Sequence, residues 1–167
     1  DGGVVVWESH AILRYLAARY GAERFWPQSP AQRARFEPWM DWSQCTFQPD
    51  FLNGVFWGYF RTPEPQRDHA AIRSAIARCA ADLQLLEAAL AKQPFLAGAE
   101  LSLADIPVGA LMFRYFTLDI DLPKERAVAW RPALPNVEAW YRRLCDRAAY
   151  REHVMVPYDD MFGRLAF

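Results

Sequence analysis

The chain has 167 residues, 53% of them hydrophobic and 15% aromatic, which suits a compact core and argues against disorder. Lys plus Arg number 19 against 20 Asp plus Glu, a net charge of −1, so there is no electrostatic reason to expect nucleic acid or a membrane surface as partner. The three cysteines, Cys45, Cys79 and Cys145, are widely spaced and form no C-x-x-C pair, so neither a disulfide framework nor a zinc site is indicated and a cytoplasmic setting is the expectation.

Asp1-Gly2-Gly3 is a hairpin-turn sequence, and Val4-Val5-Val6-Trp7 behind it reads as a β-strand. No later segment is a convincing strand. A lone strand leaves its backbone hydrogen bonds unpaired, so its partner strands are expected either in another chain or, the favoured reading, in a natural N-terminal portion that this sequence lacks. From Glu8 the chain is predicted helical, with Ala11, Ile12, Tyr15, Leu16 and Ala18 at helical spacing and Gly21 as the stop. Ser29-Pro30-Ala31-Gln32 reads as a capping box that opens a long aromatic-rich helix to about Tyr59, with kinks at Pro38 and Pro49.

After the Thr62-Pro63-Glu64-Pro65 loop, Ile72, Ile76, Cys79, Leu83, Leu86 and Leu90 step by three and four residues as one apolar seam. Arg73, Arg78, Asp82 and Glu87 fall elsewhere on that helix, at the surface. A second capping box, Ser102 and Asp105, opens a helix from Leu103 to Phe116 that is apolar almost all round, interrupted chiefly by Arg114. Leu101 and Ile106 are spaced as a hydrophobic staple, and such a helix belongs in the centre of a bundle. A looser stretch with Asp119, Asp121, Pro123 and Lys124 runs to Trp130-Arg131-Pro132. The last long helix turns Val137, Trp140, Tyr141 and Leu144 inward and Arg142, Arg143 and Arg147 outward, and a short helix follows around Tyr150 to His153. The fold class is mainly all-α.

The common catalytic signatures are absent: no G-x-S-x-G, no phosphate-cradling glycine loop, no H-E-x-x-H, and no shared spacing of His10, His69 and His153 that would gather a metal. Cys45 has aromatic neighbours and no basic one, and reads as a buried, inert thiol. Ser102 and Asp105 are explained by capping alone. Glu8-Ser9 stands apart because it sits where the strand ends and the helix begins. Helix-terminal amides beside a Ser hydroxyl make a carboxylate site, and Glu8 can pair with an ammonium group of the same ligand. A zwitterionic amino-acid end would fit this corner; plain helix capping is the alternative.

Trp7-Glu8-Ser9-His10-Ala11-Ile12-Leu13-Arg14-Tyr15-Leu16 resembles the Glu-Ser-Asn-Ala-Ile-x-x-Tyr-Leu segment of cytosolic glutathione transferases. Ser102-Leu103-Ala104-Asp105-Ile106 resembles the opening of the central helix of their C-terminal domain, and Leu134-Pro135-Asn136-Val137 through Trp140-Tyr141 resembles a later helix. The resemblance, to a bacterial, theta-like member, implies that residues 1–24 are the last strand and helix of a thioredoxin-like glutathione-binding domain and residues 25–167 the all-helical C-terminal bundle. It implies that Glu8 and Ser9 bind the γ-glutamyl end of glutathione, the co-substrate, with no metal. Trp42, Cys45, Phe113 and Phe116 are the candidates for the pocket of an apolar electrophile. His10 stands where the family usually has Asn, and no role is assigned to it. The family's reactive-thiolate residue and cis-Pro are not in this chain, so the catalytic residue is unknown and the chain alone is expected to be inactive. A homodimer is expected for the intact protein. The rival expectations are a non-catalytic regulatory or interaction module and a specialised glutathione-dependent isomerase, dehalogenase or reductase.

Overall fold

The computed structural model describes residues 1–120 and 130–165. Asp121, Pro123 and Lys124 of the predicted loose connection lie outside the described residues. Among the described residues the secondary structure is helical, with one isolated bridge between Phe95 and Gly98. The helices are α1 (Ser9–Tyr20), α2 (Ala22–Phe25), α3 (Pro30–Arg33), α4 (Glu37–Trp42), a π-helix (Ser43–Arg61), α5 (His69–Leu90), α6 (Asp105–Thr117), α7 (Pro135–Cys145) and α8 (Ala148–His153), with short 3₁₀ turns at Glu64–Gln66 and Asp159–Met161.

The apolar seam of α5 is buried at every predicted position, Ile72, Ile76, Cys79, Leu83, Leu86 and Leu90, and it packs along the π-helix. The two helices approach so closely that a Cβ added at Gly54 would stand 2.6 Å from the Ala75 Cβ. α6 lies inside the bundle, with Pro107, Val108, Gly109, Leu111, Met112, Phe113 and Tyr115 buried, and α7 closes it with Val137, Trp140 and Leu144. Trp42, Phe47 and Phe51 form a continuous ring stack with centroids 5.4 and 5.5 Å apart.

The structure departs from the sequence reading in five places. Val4–Trp7 has no regular secondary structure and joins no ladder; Val5 is 89% and Trp7 75% exposed. Strand hydrogen bonding needs a partner, and no described segment offers one. The single long helix predicted from Pro30 to Tyr59 is interrupted after Arg33 and restarts at Glu37. Pro38 has no N–H and disfavours helical geometry in the residue before it, so the chain re-nucleates with Pro38 in a first turn, where it is tolerated. Beyond Trp42 the bonding shifts to i→i+5, which accommodates Pro49 inside the helix. Cys45 is exposed rather than buried, and Cys79 is the buried thiol; burial pushes its pKa up, which keeps it protonated. Ser29 occupies the N-cap of α3 but makes no side-chain capping bond.

The fifth departure concerns charged groups. Glu87 is half-buried and caps α7 from a neighbouring helix, accepting from the Asn136 and Val137 amides at 3.0–3.1 Å and from Asn136 Nδ2 at 2.6 Å. Asp82 is half-buried as well, and Arg143 donates to the Pro94 carbonyl at 3.2 Å. The N-cap of α5 is Asp68, which accepts from the Ala70 and Ala71 amides at 3.0 Å each.

Candidate functional site

The corner that holds Glu8 and Ser9 is built by the start of α1. Glu8 has φ 68° and ψ 122°, a left-handed conformation that is strained for a residue with a Cβ and is kept mainly where function or surroundings demand it. This turns the chain sharply into α1, whose first intrahelical bond is Ile12 N–H to the Glu8 carbonyl at 2.9 Å. No side chain caps the helix, so the Ser9, His10 and Ala11 amides face outward at the positive end of the helix dipole. Glu8 and Ser9 are both exposed. An anion acceptor and a carboxylate therefore sit side by side, a pairing suited to a zwitterion.

Behind Ser9 the surface opens into a cavity of about 210 Å³ lined by Ser9, His10 and Leu13 of α1, Ser43 and Gln48 of the π-helix, and Ile106, Pro107, Ala110, Leu111 and Arg114 of α6. His10 is only 6% exposed and its Nδ1 has no hydrogen-bond partner. Burial lowers the imidazole pKa, with Arg14 adding to the effect and Asp41 and Glu8 opposing it, so the ring is neutral at pH 7. Arg14 is ion-paired to Asp41, which fixes α1 against α4. Asn, the residue expected at position 10, would fill less of this space.

Of the four residues expected at an apolar substrate pocket, none lines this cavity. Trp42 stacks on Phe47, Cys45 is exposed, Phe113 is turned edge-on to Tyr158 at 5.9 Å and Phe116 stacks on Tyr141 at 4.4 Å. They face three different neighbours. Of the residues that line it with polar atoms, Ser43, Gln48 and Arg114 were missed as site candidates; only Arg114 carried a signal, a charged side chain interrupting an apolar helix.

Ser102 and Asp105 lie at the base of α6. Asp105 Oδ2 accepts from the Ser102 amide at 2.8 Å and the Ser102 hydroxyl at 2.9 Å, and Ser102 Oγ in turn accepts from the Ala104 amide at 3.2 Å. Oδ1 accepts from the Leu96 amide and from Trp140 Nε1, both at 2.9 Å. Burial pushes the Asp105 pKa up, against four donors that favour the ionised form. The arrangement ties the loop at Leu96, the start of α6 and the middle of α7 to one carboxylate. Both of its oxygens accept two hydrogen bonds, which suits a structural node rather than a reacting group.

Residues 56–143 match the family Glutathione S-transferase, C-terminal domain. The glutathione S-transferase GstB of Escherichia coli K12 is 39% identical over 157 residues, 94% of this chain and 71% of that protein. The chain belongs to the glutathione S-transferase family. Glutathione S-transferase 3 of Zea mays is 31% identical over 157 residues, 92% of this chain and 68% of the relative. Among solved structures, the theta class glutathione S-transferase of Xanthomonas axonopodis pv. citri with glutathione bound superposes with a TM-score of 0.83 at 43% identity, covering 94% of this chain and 77% of that one. No described helix of this glutathione S-transferase is long and apolar enough to cross a membrane.

Proposed function

We propose that this protein is a glutathione transferase in which the α1 amides and Ser9 receive the α-carboxylate of the glutathione γ-glutamyl end while Glu8 pairs with its ammonium group. The observation that carries the reading is the strained Glu8 backbone delivering an exposed carboxylate and an uncapped helix terminus to one point. In the reaction the glutathione thiol loses its proton to solvent base, and the thiolate sulfur bonds to an electrophilic carbon. The leaving group departs with its electron pair. Holding both reactants at one corner supplies much of the acceleration.

Residues 1–24 are read as the C-terminal strand and helix of a thioredoxin-like domain, and residues 25–167 as the helical domain. The exposed, unpaired Val4–Trp7 segment supports this, because a β-branched run of this kind favours pairing in a sheet. The group that stabilises the thiolate is assigned to that domain. A cytoplasmic homodimer is the assembly we propose.

Ser9→Ala in the full-length protein tests the corner. The expected result is a roughly tenfold rise in KM for glutathione, the worth of one hydrogen bond to a charged group, with an unchanged melting temperature. Unchanged KM would remove Ser9 from the site. Glutathione binding without conjugation of any electrophile would favour the non-catalytic module.

A further inference from the structure

Arg114 has no place in glutathione recognition as proposed above, yet it closes one end of the same cavity. Its guanidinium lies 5.8 Å from the centroid of Phe56 and 5.9 Å from that of Tyr158. The two rings hold the cation by their faces, and among the described residues no hydrogen bond takes up its planar N–H edge. Among the described residues Arg114 has no carboxylate partner, whereas Arg14 is paired with Asp41 and Arg78 with Asp50. A half-buried guanidinium without a counter-ion is costly, and a planar anion that meets it in bidentate fashion offsets that cost.

The rest of the cavity has the opposite character. Leu13, Ile106, Pro107, Ala110 and Leu111 are apolar, and His10 is neutral. The volume of about 210 Å³ is below the roughly 300 Å³ at which sites for larger ligands begin and above the roughly 150 Å³ that holds one benzene. It suits one substituted aromatic ring.

We infer that the electrophile of this site is a small aromatic molecule bearing a planar anionic group, a ring carboxylate, and that Arg114 is the residue that selects it. This rests on the transferase reading. The ring packs on the α6 wall, its anion meets Arg114, and its reactive carbon faces the glutathione thiolate. For an aryl halide the step forms a carbon–sulfur bond and breaks the carbon–halogen bond, and the halide leaves with the electron pair.

The test uses full-length protein and two chlorodinitrobenzenes, one neutral and one with a ring carboxylate, in wild type, Arg114→Leu and Arg114→Lys. The readout is the ratio of kcat/KM for the carboxylate to that for the neutral compound, which cancels general damage to the enzyme. Arg114→Leu is expected to lower the ratio about 10- to 100-fold, the range of a charge-assisted pair, and Arg114→Lys less. An equal ratio in wild type and Arg114→Leu overturns the inference. Calorimetric binding of 3,5-dinitrobenzoate, which has no leaving group, separates the two claims. Should neither chloride be turned over, the transferase reading fails, while binding that weakens at least tenfold in Arg114→Leu still supports the anion site. Binding indifferent to Arg114 sinks it.

Discussion

Asp105 accepts four hydrogen bonds while 1% exposed. Asp105→Asn keeps the volume but puts an NH₂ against N–H donors on one side, leaving a buried donor unsatisfied at about 1–3 kcal/mol. Asp105→Ala strands the Leu96 amide and Trp140 Nε1 together and is expected to cost more, about 3–5 kcal/mol. Thermal denaturation checks the order; Asp105→Ala melting like the parent would show that the node carries no stability. Asp82 carries a pH dependence. Burial pushes its pKa up to about 6, with the Asp50 carboxylate as the next cause and Arg78 partly opposing. The folded state thus favours protonation: the stabilisation is full below pH 4, declines as pH rises, and is gone above pH 6. Asp82→Asn should therefore match wild type at pH 4 and melt higher at pH 7.5. Melting curves at the two pH values decide it, and a difference that shrinks as pH rises contradicts the assignment.

At the scale of elements, the legible parts of the sequence were those set by local periodicity. The six-residue seam of α5 and the inward Val137, Trp140 and Leu144 of α7 follow from helical spacing alone. Three features did not follow from α-helical spacing, two of them because their partners are far away in sequence. Glu87 became a cap only because α7 begins beside it; Asp82 was half-buried against Asp50 of the π-helix; Cys45 is exposed in the i→i+5 helix that follows Trp42. The candidate site divides in the same way. Glu8 and Ser9 sit next to each other on the chain, whereas Arg114 meets Ser9 only across the cavity. One prediction belongs here. The close approach at Gly54 leaves no room for a methyl, since its Cβ would meet the rigid Ala75 Cβ at 2.6 Å. Gly54→Ala is expected to destabilise by about 1–3 kcal/mol, and Ala75→Gly added to it should recover part of the loss. Urea denaturation of both variants tests this, and simple additivity of the two losses would deny the contact.

On the scale of the whole molecule, the bundle presents α6 and α1 to one cavity and leaves Val5, Trp7, Leu16 and Tyr20 exposed beside it. Exposed apolar residues clustered along one segment mark a surface that is normally covered, in line with a thioredoxin-like region packing there. The Glu8–Ser9 corner is proposed to read the zwitterionic γ-glutamyl end. Calorimetric titration of the full-length protein with glutathione and with cysteinylglycine, which lacks that end, tests it most directly. Glutathione is expected to bind and cysteinylglycine to bind at least about 100-fold more weakly, the worth of two charged contacts. Equal affinity for the two, or no affinity for glutathione, would contradict it.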